Sequence, residues 1–405
     1  LFPYTTLFRS LRQSVGFRLD PHWPRCGNNL CVVDNRIMKS DVFFADLRTS
    51  HTENLLDKVG KLLAKVRLEE RIADKALTAV KLHFGETGNM AYIRPGYVRR
   101  IVDAVIEAGG KPFLTDANTL YVGTRSDSVN HLVTAIRNGF DYAVAGAPVV
   151  IADGLRGGSE IPVQVDLKRY QEVYIGSEIV RADAIVSVAH FKGHELSGFG
   201  GTIKNLGMGC ASRKGKLAQH STVSPKIDRK RCEGCGECVD RCARHAILLV
   251  EDKAKIDPEI CVGCGQCILI CPKGAIKIRW NQQIPVFLEN MVEYTVGVLK
   301  GKENAATFLN FITDVSPACD CFGHNDVPIV GDIGIVASTD PVAIDQASAD
   351  LVNNAQGRPD SALVEHLSPG EDKFRALYPK VDWEVQLDYA QKLGLGTRQY
   401  NLIRI

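Results

Sequence analysis

Eight of the thirteen cysteines stand in two runs of one spacing. The first is Cys232, Cys235, Cys238 and Cys242; the second is Cys261, Cys264, Cys267 and Cys271, with Pro272 behind it. Each reads C-x2-C-x2-C-x3-C, a spacing that suits a [4Fe–4S] cluster. Three thiolates at two-residue gaps let one tight loop wrap three corners of a cubane. Gly234, Gly236, Gly263 and Gly265 supply the turns. A disulfide scaffold or a zinc ribbon would call for C-x2-C pairs rather than triplets.

A second group of reactive residues lies in His190–His220, which reads HFKGHELSGFGGTIKNLGMGCASRKGKLAQH. It holds His190, His194 and His220 among Lys192, Lys204, Arg213, Lys214 and Lys216. Gly198, Gly200 and Gly201 let backbone approach a bound group, and amides plus cations make a cradle for phosphate or carboxylate. The competing reading is a glycine-rich surface loop with solvated lysines. His190, at a strand end, reads first as a hydrogen-bonded structural residue. A third group is PACDCFGHND, with Cys319, Cys321, His324 and Asp326 as candidate ligands that Cys210 and His220 could join in space. Thiolate and imidazole together suit iron, zinc or nickel; the alternative is two inert cysteines and a surface histidine. In GDIGIVASTDPVAID, Asp340 before Pro341 reads as a helix N-cap, Asp345 as solvent-facing, and Asp332 as the better site candidate because it interrupts an apolar strand. Asp153 and Arg156 read as a turn.

The elements that must hold these groups alternate between strand and helix. Asn54–Val66, Gly96–Ala108, Val129–Asn138, Pro285–Leu299 and Pro341–Asn353 carry helical apolar faces. Leu77–Phe84, Lys111–Asp116, Ala184–Phe191, Thr307–Thr313 and Val327–Ala337 read as strands. The pattern implies an α/β fold with a mostly parallel sheet, interrupted by the cysteine-rich segment. The glycine-rich loop then follows a strand and falls at the carboxyl end of the sheet, where open α/β folds bind ligands.

Three resemblances add to this reading. Residues 226–280 look like a two-cluster ferredoxin module, with strand, cluster loop and short helix appearing twice. There the fourth thiolate of each run serves the other cluster. That implies Cys232, Cys235, Cys238 and Cys271 for one, and Cys261, Cys264, Cys267 and Cys242 for the other. Ala243 stands where the first run would often carry proline. The His190–His220 loop, with VPIVGDIGIVASTDPVAIDQASADLV at 327–352, closely resembles domain-of-unknown-function family 362, many of whose members carry such an insert. That resemblance implies a fold but no reaction. More distantly, His194, Gly198, Phe199, Gly200, Gly201 and Lys204 form H-x3-GFGG-x2-K, similar to the H-x3-GF-x-GG-x-K loop of nickel-pincer lactate racemases. That likeness implies His194 as acid/base, Lys204 as the anchor of a nucleotide-type cofactor, His220 as a nickel ligand, and Arg94 beside Pro95 as a binder of substrate carboxylate.

Residues 1–37 are set apart. Leu1–Ser10 resembles the translation of a sequencing-library adapter, and MKSDVFFADLR from Met38 reads as the first strand of a domain, so the expected native start is Met38. The segment carries Arg9, Arg12, Arg18, Arg25 and Arg36 against Asp20 and Asp34, a net of +3 within the formal +2 of the whole. The remainder is therefore close to −1 (+2 less +3), and the basic balance is no argument for nucleic acid. The organisation is then 1–37 upstream, 38–225 as the first part of the body, 226–280 as the insert, and 281–405 as the second part. No apolar run is long enough for a membrane span. Thiolate ligands point to a reducing cytoplasm.

Three functions compete. One is an iron–sulfur oxidoreductase passing electrons from two [4Fe–4S] clusters to a substrate or further cofactor in the His190–His220 loop, with a redox protein or small molecule as partner. Another is an electron carrier or assembly partner. A third is a non-redox isomerase akin to the pincer racemases. A body of this size exceeds what a carrier needs, and two complete cysteine runs are a strange attachment for a reaction without net electron flow; the oxidoreductase leads.

Overall fold

Strand Ala184–His190, AIVSVAH, is buried along its whole length, as a central strand covered on both faces must be. Its neighbours follow from the same logic. The computed structural model describes residues 39–405 apart from 222–223, 243, 262 and 279–282. Along the chain the strands are β1 (Ser40–Asp46), β2 (Leu77–Lys81), β3 (Lys111–Asp116) and β4 (Val149–Ile151). The hairpin β5 (Glu160–Gln164)–β6 (Glu172–Gly176) leads to β7 (Ala184–His190). A small hairpin, β8 (Lys192–His194)–β9 (Gly198–Gly200), precedes the insert strands β10 (Lys226–Ile227), β11 (Ile247–Val250), β12 (Lys253–Ile256) and β13 (Ile276–Lys277). The body resumes with β14 (Ala306–Ile312), β15 (Gly334–Ser338) and β16 (Tyr400–Arg404).

The main sheet has the order β16-β1-β15-β14-β7-β2-β3-β4. All its pairs are parallel except the two made by β15, which runs antiparallel to β1 and β14. The fold is thus α/β around a mostly parallel sheet. Side chains alternate between two cores, as strand geometry requires. Ala184, Val186 and Val188 of β7, with Leu309 and Phe311 of β14, face a core closed by helices Leu55–Lys65 and Pro95–Glu107. Ile185, Phe308 and Ile312 face the other, closed by helices Ile284–Leu299 and Pro341–Asn353.

Local signals set these helices. Asn54 and Asp57 form a reciprocal capping box on the first. Asp340 accepts from the amides of Val342 and Ala343, and Pro341 opens the helix behind it, as expected. The expected strand Val327–Ala337 shrinks to Gly334–Ser338. Pro328 lacks a donor, and Asp332 turns outward to accept from the amide of Asp314 at 2.7 Å, so the first half is loop.

The insert has its own small core. Cys232, Cys238, Ile247, Ala254, Ile268, Ala275 and Ile276 pack together, joined by Leu120 and Leu217 of the body. β10 pairs antiparallel with β13, and β11 with β12. Residues 1–37, including Cys26 and Cys31, lie outside the described residues. Among the described residues no helix is long and apolar enough to cross a membrane.

Candidate functional site

The carboxyl ends of β2, β3 and β7 deliver Lys81, Asp116 and His190 to one edge of the sheet. There they border a cavity of about 390 Å³. Its wall is largely apolar, and among its charged side chains the cations Lys81, Arg125, Lys192, Lys204 and Lys216 outnumber the carboxylates of Asp116 and Glu195. Lys81 pairs with Asp116 at 3.0 Å, and Arg125 reaches both Asp116 (3.4 Å) and Glu86 (3.3 Å). Burial opposes the charge of Asp116, but the cations around it, Lys81 first, outweigh burial and hold the carboxyl below its ordinary range. Lys216, also lining the cavity, forms no ion pair among the described residues; it donates to the carbonyl of Ala211 at 2.6 Å. Burial lowers its pKa to about 8, against the pull of Asp153 and Asp116. His83 accepts from the amide of Gly85 at its Nδ1, while its buried Nε2 has no partner among the described residues. A neutral ring bonded in this way presents a spare N–H donor to whatever fills the cavity.

The glycine-rich loop is fixed by a residue far away in sequence. Asp345 is fully buried and accepts from the amides of Thr202 (2.7 Å) and Ile203 (2.9 Å) and from Asn310 Nδ2 (2.8 Å). It therefore caps helix Thr202–Gly207 in trans and does not face solvent as expected. A Cβ on Gly201 would sit 2.3 Å from Asp345 Oδ1, so only glycine admits the carboxylate. The helix then carries Lys204 into the cavity. His194 comes from β8; its Nδ1 accepts from the amides of Leu196 and Ser197 at 3.1 and 3.2 Å. Those donors leave Nε2 as the nitrogen that can carry a proton toward the cavity. His220 also lines the cavity, its ring stacked on Phe287 at 4.8 Å. Burial, with His194 and Lys204 nearby, lowers its pKa to about 3, so it sits there as neutral imidazole.

Lys204 Nζ lies 3.5 Å from Cys319 Sγ. Cys321 donates its amide to the same sulfur at 3.4 Å, and the His194 ring lines the same cavity. The Cys321 thiol, Lys204 and His194 outweigh burial and hold Cys319 well below the ordinary thiol value; the same contact, with burial, pushes Cys321 well above it. Burial works against the charge of Lys204, but Cys319 and Cys321 outweigh it and raise its pKa. Between the cysteines, Asp320 points the other way and anchors the turn. His190 Nδ1 lies 2.8 Å from its carboxylate and Lys192 Nζ 3.1 Å. His190 is completed by a bond from Nε2 to the carbonyl of Thr313, consistent with a structural role.

The two cysteine runs sit around two separate hollows. One is lined by Cys232, Cys235, Cys238 and Cys271. The other is lined by Cys242, Cys261, Cys264 and Cys267. The runs are related by local pattern: Gly236 and Gly265, at φ +81° and +69°, each start a short helix. Ala246 and Ala275, each four residues past the last cysteine of a run, donate their amides to Cys242 Sγ (3.3 Å) and Cys271 Sγ (3.2 Å). Ala254 does the same for Cys232 at 3.3 Å. Burial and the neighbouring thiols raise Cys267 to about 12. Four thiols crowded around a hollow resist ionising together; a bound iron cluster would supply the positive charge that reverses this. Among the described residues, no three His, Cys, Asp or Glu side chains converge as ligands of a single metal ion. A cubane asks for a different arrangement, four thiolates around one volume, and each hollow is lined by four cysteines.

The hollows differ in position. Cys235, in the first, is exposed. The second abuts the body: a Cβ on Gly265 would lie 3.1 Å from Arg213 Cγ and 3.3 Å from Leu120 Cδ1. Leu120 lines the large cavity as well.

Other expected site residues fall elsewhere. Arg94 is exposed at the N-cap of helix Pro95–Glu107 and does not line the cavity. Gly200 and Gly201 line it, whereas Gly198 packs on Trp383. Cys210 is buried behind the wall, its sulfur 4.0 Å from the carbonyl of Asn205. His324 and Asp326 are exposed and outside the lining. Asp153 lies in a turn as expected but is buried, accepting from Asn118 at 2.8 Å. Lys81, His83, Asp116, Arg125 and Asp320 were not singled out by the sequence. For Lys81 and Asp116 the signal was available, a charged residue closing an apolar strand.

The profile of a family described as Domain of unknown function (DUF362) matches residues 78–350. Among solved structures, the lactate racemase apoprotein from Thermoanaerobacterium thermosaccharolyticum aligns at 14% identity with a TM-score of 0.41. The alignment covers 79% of this chain and 59% of that one, so the chain spans well under two thirds of that structure. No curated protein matches the chain.

Proposed function

From the premise that this chain belongs to the DUF362 family, whose description gives no reaction, we propose on the site's own chemistry that it is an iron–sulfur oxidoreductase. Cys232, Cys235, Cys238 and Cys271 would hold one [4Fe–4S] cluster, and Cys242, Cys261, Cys264 and Cys267 the other. When bound, the clusters would supply single electrons at low potential. The observation that carries the reading is Leu120. It touches the loop between Cys264 and Cys267 on one side and lines the large cavity on the other. The exposed Cys235 marks the side where a donor protein or small reductant would approach.

The chain's own residues account for the rest. Lys81, Arg125, Lys204 and Lys216 favour a small anionic substrate or cofactor. His83 Nε2 offers it a donor, and His194 Nε2 can move a proton at the cavity wall. A reducing compartment such as the cytoplasm suits the free thiols.

The test is iron, sulfide and intact-mass analysis of anaerobically prepared full-length protein, with spectroscopic reduction by dithionite. About eight iron and eight sulfide per chain, reducible and with no added covalent mass, is the expected result. Iron well below that after reconstitution would sink the reading. A second reading, a non-redox isomerase with a nucleotide-type cofactor, draws on one observation, the Lys204 amine held in the cavity beside His194. A mass adduct on Lys204, or nickel beyond the iron, would favour it. A carrier without catalysis would keep its electron relay after Lys204→Ala, while the oxidoreductase would lose turnover.

A further inference from the structure

Two sulfurs on the cavity wall have no role in holding the clusters. Cys319 and Cys321 are separated by one residue on the same turn, the Cys321 amide donates to Cys319 Sγ at 3.4 Å, and both side chains line the cavity. Their turn is pinned by Asp320, buried between His190 and Lys192. Lys204, at 3.5 Å, and the Cys321 amide, at 3.4 Å, both direct hydrogens at Cys319 Sγ. No metal-holding group of three His, Cys, Asp or Glu side chains forms among the described residues, and each sulfur has the other one residue away in the same turn.

We propose that Cys319 and Cys321 form a redox couple, cycling between dithiol and internal disulfide at the wall of the cavity. Cys319 is the attacking thiolate and Cys321 the resolving thiol. In the oxidising direction, Cys319 Sγ attacks one sulfur of a substrate disulfide, whose other sulfur leaves as thiolate. Cys321 Sγ then loses its proton, attacks Cys319 Sγ and expels the second substrate thiolate. In the reducing direction, two electrons from a low-potential one-electron donor and one proton convert the bridge back to Cys319 thiolate and Cys321 thiol. The couple would gather single electrons into a pair at the cavity.

The contrast with Cys210 supports this division of labour. That sulfur is buried, faces a backbone carbonyl and does not line the cavity, and burial, against the pull of Lys81, raises its pKa to about 11. Inert structural thiols have such surroundings, while reactive ones sit beside cations at an accessible wall. A bridge across a single intervening residue is also strained. Strained disulfides are the easily reduced, catalytic kind rather than the structural kind. The inference rests on the proposed function for the source of its electrons; the chemistry of the pair does not depend on it.

The test uses the full-length protein, prepared anaerobically with iron and sulfide bound and equilibrated in graded mixtures of reduced and oxidised glutathione. After an acid quench and alkylation with N-ethylmaleimide, the peptide carrying both cysteines is weighed. The expected result is a single two-electron transition between a doubly alkylated and an internally bridged peptide, with the bridge reopened by reduced methyl viologen. In Cys321→Ser, Cys319 should instead retain glutathione as a mixed disulfide. Alkylation of both cysteines at every ratio, or a bridge that reduced viologen cannot reopen, would overturn the proposal. Electron paramagnetic resonance on the same samples separates the two readings. Clusters present with no bridge defeat the couple alone; a reversible bridge without clusters upholds the couple and defeats the proposed source of its electrons.

Discussion

The insert and the body solve the same problem with different means. The body encloses strands buried along their whole length between two apolar cores. The insert has strands of two to four residues and a core in which cysteines count among the main buried groups. Apolar burial grows with size, and a unit of about 55 residues is marginal without a metal or disulfide to help it. The body can therefore spend its polar groups on a site, while the insert's reactive groups are themselves its structural support.

The sharpest way to break this comparison is to strip the iron proposed for the insert. Chelation under reducing conditions should abolish amide-exchange protection across the insert and leave β7 and β14 protected; equal loss in both would show one cooperative unit. A smaller but still large effect is expected in the body from Asp345→Ala. That change leaves two buried amides and one side-chain donor without their acceptor, at a cost of roughly 3 kcal/mol in urea unfolding. A change below about 0.5 kcal/mol, within the range of an ordinary surface substitution, would show that the trans cap is dispensable.

Lys216 gives the body a pH signature. Its folded pKa is about 8, below the 10.5 of an unfolded lysine. Between those values the unfolded chain binds more protons, so stability rises with pH there, by up to about 3 kcal/mol. Lys216→Met should flatten that rise relative to the unmutated protein; parallel profiles would contradict it. The smallest expected effect is kinetic. Lys204→Gln removes the cation beside Cys319, and alkylation of Cys319 by iodoacetamide at neutral pH should slow about tenfold as the thiol pKa rises. An unchanged rate would assign the activation to Cys321 and His194 alone.

Local chemistry made much of the fold readable. Lys111–Asp116 and Pro341–Asn353 match their expected bounds because propensity, capping and apolar period agree there. The strand expected at Val327–Ala337 did not, because apolar content outweighed Pro328 and Asp332 in the reading. The cysteine runs declare themselves by spacing. The cavity did not, because its residues come from separate strand ends that only the sheet order brings together. Asp345 is the clearest case: nothing near it in sequence says that its partners are Thr202, Ile203 and Asn310. Arg94 shows the opposite error, a short motif whose surroundings put it on the surface.

The pairing of Lys226 with Lys277 has a consequence for how such a chain could arise. The insert enters and leaves through adjacent strands, so to the body it is a hairpin with a long tip. Loop-closure entropy grows only with the logarithm of length, and here the two ends are already held by β10 and β13. A whole module could be acquired, lost or exchanged at this junction for little more than the cost of a turn. On that view, gain or loss of the module changes wiring rather than architecture.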